Sequence, residues 1–366
     1  MQIPRPFILT LLLCLIFPQI KLLSQTTVNH QSQKPKNIVL MIGDGMGIAQ
    51  VYAAMDSVNG NLNILRCTNT ALVKTNSANA DVTDSGAAGT AIATGHKTNN
   101  KSIGVTADNV PVKSILKIAE ENGLATGLVA TSDITHATPA SFIANVTSRY
   151  QSNEIARQFL TTDIDVFIGG GYDAFAKRKD SINFTDSLKS KNYKVVTSVD
   201  ELVKTEPSGK IAGLLYPGHA PKILDGRGDM LSVSTEKALS LLEKDEDGFF
   251  LMIEGSQIDW GNHDNNYKYV ISELLDFDKA VGKVLDFAVE NPETLVIVVA
   301  DHESGGLTLI EDETDKDKMK PSFSTDDHSA VPVALFAFGP GAEQFKGLID
   351  NTDIFRIMLS LYDFKK

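Results

Sequence analysis

Apolar residues in this chain fall into short continuous runs separated by stretches of helical spacing. The runs predict strands at Asn37–Ile42, Ala125–Ala130, Val166–Ile168, Lys194–Thr197, Ile211–Leu215, Phe249–Ile253, Leu295–Ala300 and Val333–Phe338. Helical patterns occupy Asp84–Thr94, Val112–Asn122, Pro139–Val146, Asn153–Leu160, Ser232–Glu243, Tyr267–Val289 and Thr352–Leu361. This alternation predicts an α/β sandwich of three layers, a mainly parallel central sheet with helices on both faces. Asn37–Ile42 and Leu295–Ala300 are apolar almost throughout, as suits central strands covered on both sides. The charged stretch Glu311–Lys320 predicts an exposed loop. No internal repeat or linker rich in Pro, Gly or Ser breaks the pattern, so residues 37–366 read as one large domain.

The N-terminus has a different pattern. Arg5 precedes an almost wholly apolar run from Phe7 to Phe17, and polar sequence begins at Ser24. This predicts an export signal over residues 1–24, too short for a comfortable membrane span. Leu15 after Cys14 makes that cysteine a poor lipid-attachment site, so no stable membrane anchor is expected. Residues 25–36 are polar and aperiodic and read as a flexible leader. A periplasmic or secreted location follows from the signal. Once it is removed only Cys67 remains, which excludes an intramolecular disulfide. Cys67 reads as a small buried filler rather than a reactive thiol. The chain carries a net charge of −12. That argues against nucleic acid or an anionic membrane as the main partner, but local cations can still seat a small anion.

Candidate chemistry gathers where strands end. Asn37–Ile42 runs into Gly43-Asp44-Gly45, Phe249–Ile253 into Glu254, and Leu295–Ala300 into Asp301-His302. Ligands of open α/β sheets bind beyond the carboxyl ends of the strands. Asp44, Glu254, Asp301 and His302 are therefore expected along one sheet edge, where crowded carboxylates call for cations. Asp259 and His263 are four residues apart, a spacing that puts an oxygen and an imidazole on one side of a helical turn. His328 precedes the Val333–Phe338 strand. Taken singly, Asp259 with His263 is a weak signal and His328 nearly none; their conjunction with the strand ends favours metal.

A second group of signals concerns phosphate. Val82–Thr90 places Ser85 after Asp84 and before a run of small residues. A helix starting there would offer a nucleophile beside free N–H groups that attract anions. Tight packing of a small-residue helix explains the same segment. Thr138 before Pro139 reads as an N-cap with proline in the first turn, a role needing no metal. Arg149 lies about three turns on, where a helix from Pro139 would end. There it is either a solvated cation or a bidentate grip on phosphate.

Through these residues the chain resembles the metal-dependent alkaline phosphatases over nearly all of the mature sequence, and most of all their compact bacterial members. The resemblance implies an enzyme hydrolysing small phosphate monoesters through a phosphoserine on Ser85, with Arg149 gripping the non-bridging oxygens. It implies one zinc on Asp259, His263 and His328, and a second on Asp44, Asp301 and His302. A third ion, usually magnesium, would lie on Asp44, Thr138 and Glu254. Two positions that vary in the family carry His136 and Trp260 here. His136 suits zinc or cobalt better than magnesium and leaves the third ion open. Trp260 cannot supply the charge of the lysine some members have. The family also implies a homodimer. No histidine adjoins Ser85 in sequence, so metal rather than a neighbouring base is expected to activate it. A phosphodiesterase, a sulfatase and a non-catalytic phosphate or metal binder are the rival readings. Ser85 with Arg149 favours monoesters, and the sulfatase signature is absent.

Overall fold

Among the described residues fourteen strands form, in chain order: β1 (Asn37–Gly43), β2 (Asn69–Lys74), β3 (Ala125–Asp133), β4 (Val166–Gly170), β5 (Tyr193–Val196), β6 (Lys210–Leu214), β7 (Phe249–Gly255), β8 (Thr294–Ala300), β9 (Glu303–Ser304), β10 (Thr308–Glu311), β11 (Met319–Ser322), β12 (His328–Ser329), β13 (Val333–Phe338) and β14 (Gly347–Asp350). The structure, a computed structural model, describes residues 34–366 apart from 179, 314–318, 363, 365 and 366. Ten strands make the central sheet, in the order β14-β2-β13-β8-β1-β7-β3-β4-β6-β5. Among them β13 alone runs against its neighbours. Helix Met230–Leu242 packs on β3 and β7, and helix Tyr267–Glu290 on β1, β7 and β8. The architecture is the expected three-layer α/β class.

Register positions the chemistry. β1 lies between β7 and β8 and is parallel to both, and every residue of the three strands is buried. Gly43 is level with Gly255 on one side and Ala300 on the other. The next residues of β1 and β8, Asp44 and Asp301, therefore leave the sheet side by side. Glu254 stands one step back, level with Ile42 and Ala130. Gly45 has a φ of +68°, and a Cβ there would lie 2.8 Å from the Asp259 Cα. Glycine is required at that close approach.

The eight expected strands all form; Val333–Phe338 keeps both ends and no end of the others moves by more than three residues. In the central sheet β2 and β14 were not expected, and neither were the two small pairs outside it, β10 with β11 and β12 with β9. In β2 only Ala71 and Val73 are buried, alternating with exposed Thr70, Leu72 and Lys74, so no continuous apolar run marks it. β14 is a four-residue strand with no buried residue. Helices Ile48–Ser57, Tyr172–Ala176, Phe184–Ser190, Val199–Lys204 and Gln257–His263 were also unannounced, and all but the first have seven residues or fewer. The expected helix Pro139–Val146 is replaced by a short one, Ala137–Ala140, capped by His136 rather than Thr138. Pro139 falls in its first turn, where no N–H is needed. Tight turns then follow, with Phe142 N–H donating to Pro139 O and Ile143 N–H to Ala140 O. Arg149 thus sits on irregular chain, its N–H donating to Lys101 O at 2.7 Å, and not at a helix end.

The charged Glu311–Lys320 stretch joins the antiparallel pair β10 and β11, and residues 314–318 at its tip lie outside the described residues. The expected export signal, residues 1–24, lies outside them too. Of the expected leader, Lys36 is described and tied down, its N–H donating to Glu293 O at 2.9 Å. Cys67 is half-buried, and burial pushes its thiol up to about 12. Among the described residues no helix is long and apolar enough to cross a membrane.

Candidate active site

The turn before helix Ser85–Thr94 is held by Asp84, whose side chain caps the helix. Its Oδ1 accepts from Ala87 N–H and Lys101 N–H, each at 3.0 Å. All ten helix residues are buried. A Cβ on Gly89 would lie 2.8 Å from Ser141 Oγ, so small residues let helix Ala137–Ala140 approach. Tight packing and a role for Ser85 are therefore compatible. Ser85 opens the helix, buried, with Oγ 3.3 Å from His302 Nε2.

Around His302 Nε2 stand Asp44 Oδ1 at 3.4 Å and Asp301 Oδ2 at 3.3 Å, all three side chains fully buried. Asp44 Oδ1 and Oδ2, Asp301 Oδ2, Glu254 Oε1, Thr138 Oγ1 and His136 Nδ1 are buried without a hydrogen-bond partner among the described residues. Orphaned acceptors this dense are costly unless a cation satisfies them. Burial, then Asp301, Asp259 and Glu254, raise Asp44 well above the carboxylate range. Burial also lifts Asp301 to about 7, with Asp259 adding to it, and lifts Glu254 to about 7 against the Ser256 hydrogen bond. Carboxylates under this strain are a built cation site.

The second expected set also converges. His263 Nε2 is 3.3 Å from Asp259 Oδ2 and 3.2 Å from His328 Nε2, which is 3.6 Å from Asp259 Oδ1. In all three histidines Nδ1 is taken by an outer partner. His263 Nδ1–H donates to Asp326 O at 2.6 Å, His328 Nδ1–H to Thr83 O at 2.8 Å, and His302 Nδ1–H to Ser304 Oγ at 3.2 Å. Each Nε2 is thereby turned toward the carboxylates, where a cation that displaces its proton would meet the lone pair, the arrangement of metal-binding imidazoles. The Ser304 hydroxyl donates in turn to Asp259 Oδ1 and so links the two sets. Burial opposes ionisation of Asp259, but His263, His302 and His328 hold it below the usual range. The rings of His302 and His328 stack at 3.6 Å, too close for both to carry charge comfortably.

A third group lies beside Glu254. Asp44, His136 and Glu254 offer ligand atoms within 4.8 Å of one another, and Thr138 Oγ1 is buried nearby without a partner. Serines 256 and 132 hold Glu254 Oε2, so Oε1 is the free oxygen. Arg149 Nη1 donates to Asp84 Oδ2 at 2.9 Å, and Nη2 to His136 Nε2 at 3.2 Å. Burial, then Arg149 and His219, lower His136 to about 3, which keeps it neutral and able to accept. Trp260 meets His136 edge-on at 6.0 Å.

All twelve residues singled out in the sequence gather at this sheet edge. Three others there went unrecognised. Asp84 was noted only as the residue before Ser85, yet it caps the helix and holds Arg149. Ser304 follows Asp301-His302 by two residues and had no distinguishing signal. His219 lies in the loop that follows β6 at the carboxyl edge of the sheet, a position that marks site loops.

His302 also stands where a general base for Ser85 would stand. That reading is weaker, because burial and then His328 hold His302 well below its ordinary range. Its Nε2 faces two carboxylate oxygens without hydrogen-bond partners among the described residues, Asp44 Oδ1 and Asp301 Oδ2, as well as the serine.

Comparison with known proteins agrees with this geometry. Residues 35–316 match the alkaline phosphatase family model. Alkaline phosphatase 4 of Bacillus subtilis is 34% identical over 88% of this chain and 88% of its own length. The solved alkaline phosphatase of the Antarctic bacterium TAB5 is 42% identical, with a TM-score of 0.86, covering 91% of this chain and all of that one. A His-to-Asp mutant of the TAB5 enzyme, 41% identical over 92% of this chain and all of its own, with a TM-score of 0.85, is described with Mg bound in its M3 site. By sequence and by fold, the chain belongs to the alkaline phosphatase family of metal-dependent phosphomonoester hydrolases.

Proposed function

We propose that this chain is an exported alkaline phosphatase that hydrolyses small phosphate monoesters through a phosphoserine on Ser85. The observation that carries the reading is the Ser85 hydroxyl beside a ring of buried, unpaired carboxylate oxygens, with the Arg149 guanidinium held next to it. The export part rests on the signal-like pattern of residues 1–24, with residues 37–366 as the catalytic domain. Acidic composition and the absence of a basic surface signal favour small-molecule substrates over nucleic acid. A homodimer is carried over from the family.

Asp259, His263 and His328 would hold one zinc, and Asp44, Asp301 and His302 another. Asp44, Thr138 and Glu254 would hold a third ion. Magnesium in the M3 site of the TAB5 enzyme is described for a mutant in which a histidine is replaced by aspartate; magnesium is the usual ion of the family, while His136 within reach of the same oxygens favours zinc or cobalt. Bound cations would neutralise the carboxylates, lower the serine pKa and stabilise charge on the leaving oxygen. The protein's own groups do the rest. Arg149 offers two parallel N–H donors to the non-bridging oxygens, its direction fixed by Asp84. Ser85 Oγ, at the mouth of a helix N-terminus, attacks phosphorus in line as the ester P–O bond breaks. Its proton leaves to solvent, and the departing alkoxide takes one up. Water then attacks the phosphoserine from the opposite side and restores the hydroxyl. Two inversions give net retention at phosphorus.

Hydrolysis of a chromogenic monoester at alkaline pH tests the proposal. Wild type should be active and lose activity with chelator, and Ser85→Ala should be inactive. Activity surviving both changes would overturn the reading.

A further inference from the structure

His136 is poorly fixed by polar contacts. Its Nδ1 has no partner among the described residues, and the ring's one hydrogen bond there is the one Nε2 accepts from Arg149. Its orientation must come from packing. His219 meets it edge-on at 5.6 Å and 86°, Trp260 does so at 6.0 Å and 85°, and His219 and Trp260 meet each other at 4.7 Å and 74°. Three mutually perpendicular rings form a wedge, a geometry rings favour for their quadrupoles and one with little room to turn.

His219 is itself anchored from two sides. Its Nδ1 accepts from Asp133 N–H at 2.9 Å, at the end of β3. The next residue, Ala220, accepts from Gln257 Nε2 at 2.8 Å, on the helix that carries Asp259, Trp260 and His263. Further along, Arg227 donates to Pro221 O at 3.1 Å and pairs with buried Glu273 and Asp276 on helix Tyr267–Glu290. A loop fastened this firmly behind a solvent-exposed imidazole holds that ring in place.

We infer that His219 is a positioning residue for phosphate recognition: with Trp260 it wedges the His136 ring, and through it sets the direction of Arg149. The inference rests on Arg149 being the phosphate clamp. Removing the ring of His219 frees His136 to rotate and leaves the Arg149 Nη2 without its fixed acceptor. Asp84 alone then orients the guanidinium.

Two substitutions separate ring from anchor. His219→Asn keeps an acceptor for Asp133 N–H but removes the ring; His219→Phe keeps the ring and loses the acceptor. On the metal-loaded enzyme, His219→Asn should raise the inhibition constant for inorganic phosphate, and KM, by about three- to tenfold, as expected for coupled neighbours. The turnover number should not fall in proportion. His219→Phe should stay within about twofold of wild type, where the same coupling is retained. Trp260 is the single tryptophan, so its emission should shift to the red in His219→Asn and hold in His219→Phe. In an Arg149→Ala background, His219→Asn should add nothing to the phosphate constant. A phosphate constant unchanged in His219→Asn, or raised equally with and without Arg149, overturns the inference. A phosphate constant unchanged in Arg149→Ala overturns the clamp itself, so the two failures are distinct.

Discussion

Truncating Ser304 to alanine should weaken cation binding without touching any proposed ligand. The Ser304 hydroxyl accepts from His302 Nδ1–H at 3.2 Å and donates to Asp259 Oδ1. His302 and Ser304 are fully buried, so no solvent replaces the lost partner. In the free protein the His302 ring can exchange tautomers. With a cation on Nε2 the proton must sit on Nδ1, and the cost of an orphaned donor falls on the bound state. That cost is about 1–3 kcal/mol, or about five- to 150-fold at about 1.4 kcal/mol per decade. Losses of outer hydrogen-bond partners at metal sites run at about ten- to 100-fold, and we expect Ser304→Ala to fall in that range. Titrating stripped protein with zinc against a chromophoric chelator measures it independently of turnover. Ser304→Thr keeps the hydroxyl and should bind nearly as wild type does. Zinc affinity of Ser304→Ala within about twofold of wild type, where an orphaned donor costs far more, would refute the reasoning.

Metal-stripped protein should melt at a lower temperature as pH rises from about 5 to about 8, because burial raises Asp301 and Glu254 to about 7. Folded-state values above the unfolded ones give stability that is full below about 4 and lost as pH climbs through about 7. Bound cations should remove the trend; a melting temperature that climbs over the same range in stripped protein would count against it. Trp260→Lys should lower the inhibition constant for phosphate by adding charge beside His136, and an unchanged or raised constant would remove Trp260 from that role. Arg227→Ala leaves Glu273 and Asp276 buried without their cation, so chemical denaturation should show a loss of about 3–5 kcal/mol. A loss under about 1 kcal/mol would mean the pair is not held as described.

The central sheet was legible because β1, β7 and β8 are buried on both faces and are written as unbroken apolar runs. The carboxylates at the strand ends were legible for the same reason: each stands at or just past the end of such a run. β2 and β14 escaped because one alternates and the other is short and exposed. Thr138 was misread as a cap because Pro139 so often opens a helix, and the residue doing the capping, His136, has no side-chain cap bond to betray it. Arg149 was noticed at an expected helix end, but its role came from the resemblance, since the helix thought to carry it ends at Ala140. Ser304 and His219 act through tertiary contacts with residues over 40 and over 80 positions away. No local pattern encodes a partner at that distance.

Rapid acid quench of the metal-loaded enzyme during turnover of a radiolabelled monoester, followed by peptide mapping, tests the central claim most directly. The account predicts label on the peptide containing Ser85 and none in Ser85→Ala. Label on another residue, or undiminished turnover by Ser85→Ala, would contradict it.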